Sequence, residues 1–446
     1  MKQTQPDQVT KAVAHYVTAP LARPLREDEA VVQTALMDWL AVTVAGSGEE
    51  SVRLALELAR AQEGAGECSY LGFSETGSAL SAALVNGISS HNQDFDDIHD
   101  YMSLHLETPV FCASLAAAQQ ERASGARFAE GVLKGMQVMA ALGDCILPEH
   151  FAVGWHATAT IGVFGAAAAC GSILGLSERQ MCWAFGLAAS CSAGLQFNMG
   201  SMAKAYQAAQ AARQGLESAL LARSGFTANE RIFDVAYLEL LSTKVDREAL
   251  LARLEAPSAM YELRYKLFPC GIPTHPGILN CAAIAREEGL RVEDVEKIIY
   301  TTFPRGKKLV GNPTPRSPLE GKFSISFCGA AAFVNNTVNN GTFTEEMIKN
   351  PELLHLLQIS QVETDEAFNY TRGGKTEIRC KDGRCFVREA HLVGKSVRLA
   401  DQLHQVREKY DCIMVERYGR DRAEEIQACI DNILNLKSVF ELTERL

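Results

Sequence analysis

The sequence lacks most of the short motifs that mark common chemistries. It has no P-loop, no GxSxG and no GxGxxG after a clear strand. That removes the usual grounds for phosphate cradling, serine hydrolysis or dinucleotide binding. Thirteen cysteines are scattered without CxxC pairs or zinc-like spacing, so no structural zinc site is expected. Positive charge is also short: 43 Lys and Arg against 54 Asp and Glu give a net charge of -11. Nucleic acid would call for a basic stripe instead. An anionic ligand would need a local basic pocket set against the global field. MKQTQPDQVTK has no apolar core, so no secretory signal is expected. The cysteines are then expected as reduced thiols in the cytoplasm.

Charge is missing altogether from two long runs. Residues 151–177 carry no formal charge and a single histidine, His156, and between 180 and 212 the one formal charge is Lys204. Such runs raise the question of a membrane hairpin. They are rich in Ala, Gly, Ser, Thr and Gln, however, which favours buried helices packed closely through small side chains and no membrane. A lone lysine in such text either snorkels to the surface or neutralises something anionic. A lone histidine is more often a satisfied core residue than a catalyst.

What is present is an ordinary globular composition, 446 residues with 47 % hydrophobic, enough for two or three domains. Helical patterns run over about 6–18, 27–46, 108–122 and 127–146, and again from about 400 to the end. The texture changes near Lys266, where FPCGIPTHP breaks helices. VEKIIYTTF (295–303) and LLQISQVETDE (356–366) read as strands, with a helix near 329–338 between them. TEIRC-KDGR-CFVRE reads as a hairpin turning at Asp382-Gly383. The expected fold is mainly α: a discontinuous all-helical bundle domain (1–266 and 400–446) with an inserted smaller α+β domain (267–399).

The chemistry concentrates in HNQDFDDIHDYMSLH (91–105), acid-rich text between two helical segments. A solvated loop is the plain reading, but three histidines share the stretch with four aspartates, and unpaired buried carboxylates are costly. Asp96, Asp97 and Asp100 spell DDxxD, the pattern that holds magnesium diphosphate in helical prenyl-transferring enzymes. No second magnesium motif follows, so a Mg-dependent diphosphate enzyme is the remote alternative. Lys266 and His275 flank the Pro-broken turn at the expected domain junction, a common place for a substrate cleft.

The same stretch resembles the H-x-x-D-[FY]-D-D-[TI]-H signature of the MmgE/PrpD family. Further likenesses follow in order: GWHATATIGVFGAAAA (154–169), GSMAKAYQAAQAARQG (200–215), KLFPCGIPTHP (266–276) and KFSISF (322–327). The resemblance implies a helical domain with an α+β lid, an active site between them and a homodimer. It also implies a small anionic polycarboxylate as substrate, with no cofactor and no metal. Carried over by position, the catalytic residues are His105, His156, Lys204 and Asp94, and the substrate-binding residues are Lys266, His275 and Gln207. Cys270 beside the junction is read as structural.

Departures from the family pattern then separate its branches. Ile98 stands where the family often has Thr, Gln207 where it often has His, Gly271 where decarboxylase-like members have His, and Phe327 where they have Tyr. Dehydration and decarboxylation need an acid to assist a leaving group or protonate a fixed carbon. Epimerisation needs cations for carboxylates and two groups that exchange one α-proton. The expectation is therefore a cofactor-independent epimerase of a polycarboxylated amino acid of the iminodisuccinate type. The alternative is a hydro-lyase of the 2-methylcitrate dehydratase type or a related decarboxylase.

Overall fold

The computed structural model describes residues 8–62, 64–99, 101–102, 104–369, 373–391 and 399–446. The chain is mainly helical, with a smaller α+β portion. Its helical part contains α1 (Val9–Thr18), α2 (Glu29–Gly46), α3 (Ala79–Asn92), α4 (Glu107–Gln120), α5 (Gly125–Ile146), α6 (Ala157–Leu174) and α7 (Ala203–Arg223). Serines at positions 78 and 124 cap α3 and α5 by accepting a backbone N–H of the first turn. The helix expected over 6–18 starts at Val9, and positions 6 and 7 fall outside the described residues.

α6 is apolar on every side, and such a helix can only sit at a centre. It is long and apolar enough to cross a membrane, yet 94 % of it is buried inside the protein. α4, α5 and α7 surround it. The small residues have a positional purpose here. A Cβ on Gly215 of α7 would stand 2.5 Å from the Cβ of Ala166 in α6, and one on Gly87 of α3 would stand 2.7 Å from the Ala209 backbone of α7. Glycine lets these helices touch through their backbones. The second contact brings the last turn of α3, with His91, beside the first turn of α7, with Lys204.

The apolar interior falls into two main clusters. One runs from Val9 to Leu263 and takes in Val406 to Leu442; the other lies between Cys270 and Cys380. In the second, α8 (His275–Glu288) and α9 (Ile325–Asn335) pack beside a four-stranded sheet. Its strands are β1 (Val295–Thr302), β2 (Ser360–Thr364), β3 (Gly374–Cys380) and β4 (Cys385–Ala390), in the order β2-β1-β3-β4. β1 pairs parallel with β2 and antiparallel with β3, setting Ile298 opposite Ser360 and Ile378. Gly383 takes φ 89° in the β3–β4 turn, the left-handed conformation that the Asp-Gly pair predicts.

Two expectations shift. The helix near 329–338 begins earlier, at Ile325, because Ser324 caps it. The expected strand over 356–366 divides into the end of a helix (Pro351–Gln358) and the shorter β2. α10 (Leu399–Tyr418) returns the chain to the first cluster by packing on α2. The junction expected near 400 borders residues 392–398, which lie outside the described residues.

Candidate active site

The acid-rich stretch is a buried turn, not a solvated loop: Asp94 is 3 % exposed and Asp96 and Asp97 are fully buried. Ile98 and His99 pair antiparallel with Leu263 and Arg264, tying the turn to the chain just before Lys266. Asp94 adopts φ 55°, a left-handed conformation that aspartate tolerates and most residues avoid. It aims the carboxylate at two ammonium groups. Lys204 makes a very short ion pair with Asp94 Oδ1, and Lys266 Nζ stands 3.0 Å from the same oxygen and 3.0 Å from the Asp94 carbonyl. A lysine in the first turn of a helix opposes the helix dipole, so Lys204 depends on that carboxylate. Burial pushes the Asp94 carboxyl up, but Lys204 and Lys266 outweigh it and hold it well below the usual range.

Asp96 faces imidazoles. His91 Nδ1 donates to its Oδ2 at 2.6 Å, Thr108 Oγ1 donates at 3.1 Å, and His105 Nδ1 lies 3.4 Å away. Two donors and a nearby imidazole keep Asp96 ionised against the push of burial. Burial in turn lowers His91 to about 4 and lowers His105. Both rings are neutral at pH 7. Since a carboxylate takes the Nδ1 proton of His91, the lone pair lies on Nε2. The ligating atoms of His91, Asp96 and His105 all lie within 4.8 Å of one another, a grouping that can hold a metal in principle. Donor atoms on one zinc stand about 3.3 Å apart, given bonds of about 2.0 Å, and the 2.6 Å separation is that of a hydrogen-bonded pair.

His156 completes the imidazole group. Its ring stacks 5.9 Å from His91, while His105 meets His91 edge-on at 4.8 Å. Gln207 Oε1 accepts from the Leu195 N–H at 2.9 Å, and its Nε2 donates to the Leu195 carbonyl at 3.3 Å. With the amide fixed in that sense, His156 Nδ1 must be the donor in its 3.1 Å contact with the same Oε1. The lone pair is again left on Nε2, and burial drives this histidine well below its usual pKa.

Of these groups His91, Asp94 and Lys204 open on a cleft of about 370 Å³ between the two apolar clusters, lined also by Glu49, Lys322 and Phe323, while His105, His156 and Lys266 stand behind its wall. Lys322 Nζ donates to the Gln93 carbonyl at 2.9 Å and the Pro269 carbonyl at 2.8 Å. Burial lowers its pKa to about 8.

The structure therefore brings Asp94, Lys204, Lys266, His105 and His156 into one cluster drawn from distant parts of the sequence. The three residues expected to bind substrate all sit off the cleft wall, Lys266 being turned onto Asp94 behind it. Gln207 is turned onto His156 and the Leu195 backbone, so it orients the imidazole and does not line the cleft. His275 is buried under Phe268, its ring 5.1 Å away, in the second cluster with Cys270. Cys270 itself is fully buried, 3.0 Å from Thr274 Oγ1. Asp96 and Asp97 diverge: Asp97 accepts the Leu106 and Glu107 N–H groups at 2.9 and 3.1 Å and does not share a face with Asp96. Asp100 of the DDxxD pattern lies outside the described residues. His91 and Lys322 were not among the expected site residues. Each opens a motif, HNQDFDD or KFSISF, and that position is the signal available beforehand.

Taken alone, the fold and the cleft define a mainly helical protein with a buried cluster of lysines, carboxylates and neutral imidazoles beside a cleft. Residues 11–243 match the MmgE/PrpD N-terminal domain and residues 268–434 the MmgE/PrpD C-terminal domain. The chain belongs to the MmgE/PrpD family. Among its relatives is the cis-aconitate decarboxylase of Homo sapiens, 24 % identical over 385 residues, 81 % of this chain and 78 % of that one. The cis-aconitate decarboxylase of Aspergillus terreus is 23 % identical over 418 residues, covering 85 % and 84 %. The cis-aconitate decarboxylase-like protein oryM of Aspergillus oryzae is 23 % identical over 470 residues, covering 98 % and 96 %.

Proposed function

We propose that this protein is a cofactor-independent epimerase of a polycarboxylated amino acid of the iminodisuccinate type. One observation carries the reading: two neutral imidazoles, His91 and His156, each have Nδ1 tied to a fixed acceptor and a lone pair on Nε2, next to ammonium groups that line or back the cleft. In this mechanism Lys322 holds a carboxylate, and Lys204, paired with Asp94, adds positive charge beside the reacting carbon. An imidazole Nε2 takes the proton from the carbon next to a carboxylate, leaving an enediolate that the ammonium groups stabilise. The proton delivered to the opposite face comes from the second imidazole, which is neutral at rest and takes up a proton from solvent as the substrate's carboxylates bind; the first imidazole returns its proton to solvent. Asp96 and Gln207 keep the rings in the required tautomer. Positioned base catalysis of this kind contributes about 10²–10⁴-fold.

The surroundings favour proton exchange over loss of a leaving group. Ile98 is buried in the short strand, the space beside Gly271 is closed by Phe323 and Val310, and Phe327 lies inside the second apolar cluster. None of these positions offers an acid. The similarity to cis-aconitate decarboxylases supports a second reading, decarboxylation of an unsaturated tricarboxylate. Incubation in D₂O separates the two. Epimerisation incorporates deuterium at the α-carbon of iminodisuccinate and races its stereocentres without gas release. Carbon dioxide from cis-aconitate with no exchange into iminodisuccinate overturns the proposal. The reading also includes a cytoplasmic homodimer. Phe197, 85 % exposed on the loop leading to Lys204, suits a covered face, and a monomer in sedimentation velocity removes that part.

A further inference from the structure

Lys322 is a buried ammonium, 5 % exposed. Among the described residues no carboxylate stands within ion-pair distance of it. Its partners are the carbonyls of Gln93 and Pro269, and its Nζ lies 4.4 Å from the centre of the Phe343 ring. Carbonyls and a ring face soften a positive charge but do not neutralise it, and a buried charge without a counter-ion is costly. The other two lysines of the cluster differ: Lys204 already has Asp94, and Lys266 shares it. Lys322 lines the same cleft and is the ammonium left for an incoming anion.

Three glutamates border that cleft, Glu49, Glu50 and Glu345. Glu50 is paired with Arg53 at 3.6 Å and Glu345 with Lys349 at 3.0 Å. Glu49 makes no ion pair among the described residues; its Oε1 accepts from Gln93 Nε2 at 3.2 Å, and Lys322 is a cation that feels its charge. Gln93, 4 % exposed, therefore spans the two charges. Its carbonyl holds Lys322 and its side-chain amide holds Glu49, setting a cation and an anion one glutamine length apart on one wall.

We propose that Lys322 and Glu49 form an amino-carboxylate subsite, Lys322 taking a carboxylate and Glu49 the adjacent ammonium of the substrate. The proposal rests on the small-polycarboxylate reading above and adds the amine to it. A ligand that presents carboxylates alone fills the lysine side and leaves Glu49 facing unbalanced negative charge. The cleft thereby discriminates aminopolycarboxylates from hydroxy or unsaturated acids of the same size.

The test uses the full chain and two probes, iminodisuccinate and oxydisuccinate. They carry the same carboxylates and differ in having a charged amine or an ether oxygen. Calorimetric titration of the unaltered protein is expected to show roughly tenfold or more tighter binding of iminodisuccinate, the contribution of one charge-assisted hydrogen bond. Glu49→Gln brings the two affinities together, chiefly by weakening iminodisuccinate. Lys322→Met weakens both probes, with an unchanged melting temperature showing that the fold is intact. A Glu49→Gln protein that keeps the full preference overturns the subsite, as does an unaltered protein that shows none. Deuterium exchange into iminodisuccinate is read separately. Discrimination abolished by Glu49→Gln without exchange leaves the subsite standing and removes the epimerase; exchange with discrimination untouched by Glu49→Gln does the reverse. Binding of neither probe removes both.

Discussion

Asp96 and Asp97 are adjacent in sequence and equally buried, yet they belong to different electrostatic worlds. On one side of the turn Asp94 meets Lys204 and Lys266, and Asp96 meets His91, His105 and Thr108. Both carboxyls are held well below their usual range against the effect of burial. On the other side Asp97 shares a pocket with Glu107 and Asp38. Burial and mutual repulsion push Asp97 and Glu107 well above the usual range, and Asp38 to about 6. Lys409 is the cation there, 2.9 Å from Asp38 Oδ1 and occupied with the Phe95 carbonyl. The residue types match on the two sides. Their neighbours decide which carboxyls are charges for chemistry and which are neutral parts of the interior.

Substitution on the charged side is expected to break this contrast most severely. Asp94→Ala strands two buried ammonium groups, and removing one partner of such a pair costs about 3–5 kcal/mol. Activity is abolished and the denaturation midpoint falls; an active variant of normal stability would mean the lysines are neutralised elsewhere. Asp96→Asn comes next. It leaves the fold standing but replaces the charged acceptor of the His91 Nδ1 proton with a neutral amide that can turn its NH₂ toward the ring, so kcat is expected to fall by roughly 10²–10⁴ with little change in KM.

The pH profile sharpens the contrast at intermediate scale. The base function of His91 is lost as it protonates on falling through about 4. Anion binding by Lys322 is lost as it deprotonates on rising through about 8. Activity should therefore hold between these limits, with KM climbing on the alkaline side. Lys322→Arg, which stays charged, should move that alkaline limit upward.

The smallest effect is expected across the turn. Glu107 has both side-chain oxygens buried and without a hydrogen-bond partner, and its carboxyl is raised chiefly by burial. A group whose folded pKa exceeds its unfolded value adds stability at low pH and loses it as pH rises through the folded pKa. Glu107→Gln should leave activity nearly unchanged and raise stability at neutral and alkaline pH, above the ordinary carboxyl range, where the native glutamate has begun to lose its contribution. A fall in turnover comparable to that of Asp96→Asn would erase the distinction between the two sides.

Periodicity and composition determined the helical class, the change of texture near Lys266, the hairpin at Asp382-Gly383 and the interest of residues 91–105, because these depend on local pattern and side-chain chemistry. The lone Lys204 in uncharged text left two outcomes open, snorkelling to the surface or neutralising an anion. The identity of that anion, Asp94, was settled by the close crossing of α3 and α7 at Gly87. Tertiary structure alone turned Gln207 from a substrate ligand into the brace of His156, withdrew His275 into the second apolar cluster and brought Lys322 into the cleft. It also divided Asp96 from Asp97. Position along the chain cannot reveal such outcomes, since the protonation state and direction of a buried group are set by atoms that only folding brings within a few ångströms.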